Sequence, residues 1–348
     1  MKQKIKKNSA KRNKWWITLA ILLIIGAGAF ILIRKYTSDS FTDKAFTLDI
    51  RPETTYQELL DTLKLKIDRN TWLRFRRMAR LDDYERKMIP GAYKLDPAMS
   101  SIDVYRILSR GIQTPVRVTF NNIRTQEQLA SRIGKQLMMD SAQVMGVFQD
   151  TAFIRQLGFS KETVPAMFFP DSYEFYWTVT PPEFFKRMKK EYDRFWTNER
   201  QEKAAAMGFS PIEVAVIASI AEEETNDRAE RGTVGRLYMN RVQINMPLQA
   251  DPTVKFALGD FSLRRVLNKH LEVDSPYNTY KYAGLPPGPI RMATKQTIDS
   301  ILESEPHRYL YMCAKEDFSG RHNFTQSFAE HQRNAARYRS ALNKRNIK

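Results

Sequence analysis

Residues 210–225, SPIEVAVIASIAEEET, limit what this chain can become more than any other stretch. Ser210 stands as an N-cap, Pro211 as the first helical residue and Glu213 as the capping-box partner, so the spacing predicts a helix start. The next residues, Val214 to Ala221, are apolar or small on every face, and a helix apolar all round has to be enclosed by other elements. It then brings Glu222, Glu223 and Glu224 to its C-terminal end, where the macrodipole favours cations. At about 100° per residue the three carboxylates cannot share a direction, so at least one is expected to be solvated surface. A carboxylate half-embedded where the helix meets a cleft has a raised pKa and can serve as a general acid, although structural ion pairs perturb carboxylates as well. The helix alone leaves both readings open.

A second constraint is the N-terminus. Residues 1–14 carry Lys2, Lys4, Lys6, Lys7, Lys11, Arg12 and Lys14 and no acid, and residues 15–33 carry no charge. Such a run spans roughly 28 Å as a helix, close to the hydrocarbon thickness of a bilayer. Trp15 and Trp16 stand at one boundary; Arg34, Lys35 and Tyr36 stand at the other. Ala27-Gly28-Ala29 resembles a signal-peptide cleavage site, but the apolar run continues through Ile33 and exceeds a typical signal core, so an uncleaved anchor is expected. The heavier basic block precedes the span, which places the N-terminus in the cytoplasm and the rest outside. Residues 1–14 are then a cytoplasmic tail, 15–35 a transmembrane anchor and 36–44 a short polar linker.

The formal charge of +17 could suggest nucleic acid, but seven of those charges belong to the tail and the topology holds the remainder away from DNA. The remaining basicity suits an anionic envelope surface or polymer. Cys313 is the single cysteine, so there is no disulfide framework; in the apolar run 309–314 it reads as a small buried residue. Neither the four histidines nor any HExxH, GxSxG or Walker A string offers a metal, nucleophile or phosphate site. Carboxylate chemistry without metal or cofactor is what the residues offer.

Between these landmarks the periodicity predicts an α+β chain. A strand at 45–50 leads to a helix capped by Thr55 and Glu58, a helix at 68–79, a strand at 92–95 after Pro90-Gly91, and a helix at 102–109 capped by Ser100 and Asp103. A strand at 116–120 and a helix opened by Thr125 with Gln128 follow, then helices at 141–149 and 151–157. The aromatic stretch 167–179, MFFPDSYEFYWTV, is either core or a platform for sugar rings. One long helix is predicted from Pro181 to about Ala205, and another over 227–244. Gln249, Asp251 and Thr253 are expected on a loop, with Pro252 breaking regular structure. The long loop 275–290 is rich in Pro, Gly and Tyr, which marks it as functional; a hairpin at 309–324 and a basic helix at 327–344 close the chain.

With these residues placed, the chain resembles the endolytic murein transglycosylases, the MltG or YceG-like family. The matching strings are ASIAEEET (218–225), MNR (239–241), MPLQADPTV (246–254), PYNTY (276–280), GLPPGPI (284–290), YLYMCA (309–314) and RHNFTQSFAEH (321–331). The resemblance implies a LysM-like β-α-α-β-α subdomain over 45–113, with PGAY at 90–93, and a larger mixed helical catalytic domain with short strands over 114–348, its core motifs in 210–331. It implies cleavage of the MurNAc-β-1,4-GlcNAc bond of nascent peptidoglycan strands, leaving 1,6-anhydroMurNAc ends and terminating glycan elongation. Penicillin-binding-protein synthases are the implied neighbours. In the family the catalytic glutamate is the first acid after the apolar triplet, here Glu222, acting alone as acid and then base. Glu224 becomes a candidate either for supporting the catalytic acid from behind or for facing the substrate, and Glu223 is expected at the surface. Asn240, Gln249, Asp251, Tyr277, Asn278, Tyr280 and Asn323 fall on matching motifs and suit sugar recognition, though each also suits a loop cap or the core. Two departures stand out: Pro165-Ala166 replaces a common Glu-Gly, and Glu223 replaces a common Lys. A silent peptidoglycan-binding scaffold and a muramidase using Asp251 as second carboxylate are the rival readings.

Overall fold

The computed structural model describes residues 2–345; the ends of the expected tail and of the 114–348 domain, Met1 and 346–348, lie outside the described residues, and for 2–14 and Leu32 only backbone is described. The chain forms two compact units, Met1–Val116 with Glu174–Thr178, and Arg117–Tyr173 with Val179–Lys348. It is mixed α+β, mostly helical, and its short strands pair two by two.

The first unit opens with α1 (Lys2–Thr37), whose part from Trp15 to Thr37 is long and apolar enough to cross a membrane. β1 (Phe46–Ile50), α2 (Tyr56–Lys66), α3 (Arg69–Leu81), β2 (Gly91–Leu95) and α4 (Ser101–Arg110) follow. The capping boxes Thr55/Glu58 and Ser100/Asp103 start α2 and α4 as their spacing predicts. β1 and β2 pair antiparallel with Leu48 opposite Tyr93. Their inward residues join Leu59, Leu63, Phe75, Val104 and Leu108 in one core.

The second unit contains β3 (Val116–Phe120) from Arg117 on, α5 (Gln126–Gly134), α6 (Ser141–Gln149), α7 (Thr151–Gln156) and the first residues, 171–173, of β4 (Asp171–Phe175). The aromatic stretch 167–179 is therefore partly a strand, and its rings are mostly core: Phe168 and Phe169 are buried, and Phe168 meets Phe185 edge-on at 5.3 Å. The long helix expected over 181–205 is two helices, α8 (Pro181–Phe195) and α9 (Asn198–Ala206). Trp196 turns into the core, and Thr197 caps α9 by accepting from the Arg200 N–H. The Gln201 amide and the Arg200 guanidinium fill the exposed carbonyls of Trp196 and Phe195, so the break is sealed.

α10 (Pro211–Glu224) begins with the predicted Ser210/Glu213 box and is buried continuously from Val214 to Glu222. α11 (Arg231–Gln243), α12 (Asp251–Leu258) and α13 (Lys295–Leu302) pack against it, and β5 (Tyr311–Ala314), β6 (His322–Thr325) and α14 (Phe328–Lys344) complete the unit. Pro252 does not break structure as expected: it occupies the first turn of α12, where the missing N–H has no helical partner to lose. Cys313 is half-buried in β5 rather than enclosed. α11 approaches α13 so closely that a Cβ on Gly232 would lie 2.4 Å from the Ser300 carbonyl oxygen. Gly232→Ala is expected to destabilise the second unit by about 1–3 kcal/mol through overpacking. Gly146→Ala, in a helix with open space around it, is expected to stabilise by up to about 1 kcal/mol. Chemical denaturation of the two variants tests the contrast.

Candidate active site

α10 is sewn to the 284–294 segment along its length. Ser219, fully buried on α10, donates to the Val216 carbonyl and accepts from the Ile290 N–H at 3.0 Å. Gly288 is required where this segment passes Glu162, because a Cβ there would lie 1.9 Å from the Glu162 carbonyl oxygen. The motifs ASIAEEET and GLPPGPI thus meet in space.

The three glutamates then divide. The Glu222 side chain is 1% exposed. Its Oε1 accepts from the Thr294 N–H at 2.9 Å, from Thr297 Oγ1 at 2.6 Å and from Thr294 Oγ1, and its Oε2 pairs with Arg291 Nε at 3.1 Å. Arg231 adds a longer ion pair at 3.5 Å. Thr294 caps α13, so the positive end of that helix faces the carboxylate. Glu223 is not the surface residue expected. Arg124 grips it through both carboxylate oxygens at 2.9 Å, and Arg291 Nη1 adds a bond at 2.8 Å.

Glu224 differs from both. It is half-buried, and its Oε1 accepts one hydrogen bond, from the Tyr238 hydroxyl at 2.9 Å; among the described residues Oε2 has no hydrogen-bond partner. Burial pushes its pKa up to about 7; the Tyr238 bond pulls against that shift, the nearby charge of Asp251 adds to it, and Arg241 and Lys255 oppose it. Asp251 is in turn held by the Tyr280 hydroxyl at 2.6 Å. Thr279 fixes this edge: its Oγ1 accepts from the Ala250 N–H and meets Thr253 Oγ1 at 2.8 Å. The motifs containing 249–253 and 276–280 therefore form one wall beside Glu224.

The other candidates are distributed unevenly. Gln249 is exposed with a left-handed backbone, φ 48°, and its N–H donates to the Thr279 carbonyl. Tyr277 packs against Phe256 with rings tilted and centroids 4.7 Å apart and, with Pro289 and Arg124, lines a cavity of about 260 Å³. Asn278 is fully buried, its amide bound to the carbonyls of Leu271 and Val273. Asn240 donates to the carbonyls of His307 and Tyr309, and Asn323 to Glu316 at 3.0 Å. The structure thus spends these three amides on shaping loops, not on an open surface. The residues that sequence reasoning missed are Arg124, Arg231, Tyr238, Arg291, Thr294 and Thr297; only Thr294-x-x-Thr297, a helix-cap pattern, carried a local signal.

A two-unit α+β chain with a buried glutamate helix clamped by a Gly-Pro-rich loop fits one family. The YceG-like family matches residues 48–337, and the chain belongs to it. Among its relatives, the endolytic murein transglycosylase of Bacillus subtilis (strain 168) is 31% identical over 271 residues, covering 73% of this chain and 74% of that protein. The endolytic murein transglycosylase of Streptococcus pneumoniae (strain D39) is 25% identical over 356 residues, covering 92% of this chain; the chain spans 64% of that protein's length. A crystal structure of a YceG-like protein from Listeria monocytogenes aligns with TM-score 0.54 and 25% identity, over 83% of this chain and 99% of that one.

The geometry separates Glu222 from Glu224 in stability as well as in access. A carboxyl whose pKa is raised on folding binds a proton more tightly in the native state, so its penalty is absent below its ordinary range and fully present above pH 7. Glu224→Gln is expected to stabilise the protein at pH 8 by about 3 kcal/mol and to have little effect at pH 4. Glu222→Gln is expected to destabilise by about 3 kcal/mol at pH 8, because it leaves the half-buried Arg231 without a counter-charge and Arg291 with Glu223 alone. Thermal melts of both variants at the two pH values test the opposite signs.

Proposed function

We propose that the chain is an endolytic murein transglycosylase and that Glu224, rather than Glu222, is its acid and base. The observation that carries the proposal is the state of Glu224: a partly open carboxyl, pKa about 7, with one oxygen left without a protein partner. A general acid works best with a pKa near the operating pH. Glu222 has Oε1 filled by threonine donors and Oε2 in an ion pair with Arg291, and its side chain is closed from solvent, which supports a structural role. The names of the relatives supply the substrate class, and the family match supports carrying it to this chain.

In this reading Glu224 gives its proton to the glycosidic oxygen as the bond to the muramoyl anomeric carbon breaks. The resulting carboxylate takes the proton of the muramoyl C6 hydroxyl as that oxygen bonds to the anomeric carbon. The product is a 1,6-anhydroMurNAc end, no water enters, and Glu224 is protonated again. A hydrolase needs a second carboxylate for water or for a covalent intermediate; here the substrate carries its own nucleophile. The Tyr238 hydroxyl orients Glu224, and Tyr280, Asp251, Gln249 and Tyr277 form the substrate-facing set. Asp251 beside Glu224 is the feature that favours the muramidase alternative.

The finer parts of the reading have their own support. The apolar part of α1 suits a single-pass anchor, with the basic block placing the N-terminus in the cytoplasm and the second unit outside. The β-α-α-β-α order of the first unit supports a LysM-like module at 45–113 next to a catalytic domain at 114–348. An anchored endolytic enzyme is suited to release strands as penicillin-binding-protein synthases extend them, which terminates elongation.

Full-length protein in detergent, incubated with uncrosslinked glycan strands, is expected to release ends one water lighter than hydrolytic products. Glu224→Gln is expected to lower the rate by about 10²–10⁴-fold. For the unsubstituted enzyme kcat/KM is expected to be level below pH 7 and to fall about tenfold per pH unit above it. Ends carrying an added water make the chain a muramidase, and no product from the unsubstituted protein makes it a scaffold. Full activity of Glu224→Gln removes Glu224 from the mechanism.

A further inference from the structure

We propose that the first unit docks on the phosphate headgroups of the membrane through the exposed arginine face of α3. The proposal rests on the reading of α1 as a membrane span.

The core side of α3 is Thr71, Phe75 and Ala79. At 100° per residue, Arg69, Leu73, Arg76, Arg77 and Arg80 fall together on the opposite side, and all five are exposed. Leu73 is 42% exposed. Among the described residues none of these four arginines has an ion-pair partner, while the nearby acid Asp82 is already taken by Lys87 and by the Tyr105 hydroxyl. Asp68 is engaged as the N-cap of α3. Trp72 flanks the stripe with its ring under the Arg76 guanidinium, centroid distance 5.2 Å. Cations, an apolar side chain and an amphipathic ring on one face suit a lipid interface.

What places that face near lipid is the stretch after α1. Residues 36–44 read as a linker in the sequence, yet they are fastened to the unit. Asp39, two residues beyond the end of α1, pairs with Arg74 of α3 at 2.8 Å and accepts from Ser101 Oγ at 2.6 Å. Ser40 Oγ donates to the Pro97 carbonyl, and the Phe41 N–H to the Met99 carbonyl at 2.8 Å. Phe41 is fully buried and meets Phe75 of α3 edge-on, centroids 6.0 Å apart. The unit is therefore held close to the end of α1, and tilting of α1 is what brings its arginine face onto the bilayer or away from it.

From Ile33, where the apolar run ends, to Asp39 is at most about 13 Å of chain. The headgroup layer occupies roughly 5–8 Å of that distance. Arg74 thus sits at the edge of the headgroups, and the unpaired arginines of the same helix lie within about one Debye length of the phosphates. Each such charge is expected to strengthen docking roughly fivefold.

The test uses the full-length chain in nanodiscs. Cys313→Ser with Leu73→Cys carries a fluorophore at position 73, and lipids brominated near the headgroup report its depth. Quenching is expected in discs containing phosphatidylglycerol, and its loss in phosphatidylcholine discs or in 0.5 M salt. The combined variant Arg69→Glu, Arg76→Glu, Arg77→Glu and Arg80→Glu is expected to lose quenching in the phosphatidylglycerol discs while cleaving soluble strands at the unsubstituted rate. Should that variant fail to fold, the lipid and salt comparisons on the labelled parent decide alone. A label unquenched in either disc overturns docking, as does a label shielded only when murein strands are added, which would assign the arginines to the wall polymer. Chain recovered outside the discs would instead overturn the span on which the proposal rests.

Discussion

The second unit is arranged around a carboxylate in an unfavourable place. Glu222 lies at the C-terminal end of a helix buried on every side, so its charge is opposed both by lost solvation and by the dipole of its own helix. The remedy comes from far along the chain. Thr294 and Thr297 bring the positive end of α13 against it, and Arg291 and Arg231 supply counter-charge. Arg291 continues to Glu223, which Arg124 holds from the opposite side of the sequence. Two of the three glutamates are thereby tied down, and the third, on the last turn, is left with one hydrogen bond in a half-buried position. Rigid neighbours and a free carboxyl oxygen are what a proton-transfer group needs.

The same clamps explain why the family strings recur in order. Ile290 and Arg291 hold α10 from one side, while Thr279 and Thr253 hold the wall containing Asp251 and Tyr280. Arg241 ties α11 to this wall through the Leu248 carbonyl at 2.6 Å and to β5 through the Leu310 carbonyl at 2.7 Å. Most of the polar residues in these strings bond to backbone. Their role is then one of loop geometry as much as of sugar recognition.

Much of the fold was legible because its signals are local. Capping boxes at Thr55, Ser100 and Ser210 and the period of their helices depend on residues three or four apart. The 309–324 hairpin and the buried character of α10 were equally plain. The division of labour among Glu222, Glu223 and Glu224 was not, since their partners Arg124, Arg291 and Thr294 lie many tens of residues away. The resemblance to the family motif pointed to Glu222 as the acid, and its closed surroundings are the ground on which Glu224 is proposed in its place. Pro252 misled for a different reason: a proline breaks a helix in its interior and starts one in its first turn, and only the three-dimensional path tells the two apart. The fastening of residues 39–41 was hidden as well, because a polar run such as TSDSFTDK reads as a linker until Asp39 finds Arg74.

The central claim is that the third glutamate, Glu224, holds a proton near neutral pH. Its most direct measurement is the titration of the glutamate carboxyl carbons by NMR in protein labelled at that carbon. One resonance is expected to titrate near pH 7 and to vanish in Glu224→Gln while surviving in Glu222→Gln. If that resonance instead disappears with Glu222, or if every glutamate titrates in the ordinary carboxylate range, the assignment of the acid is wrong.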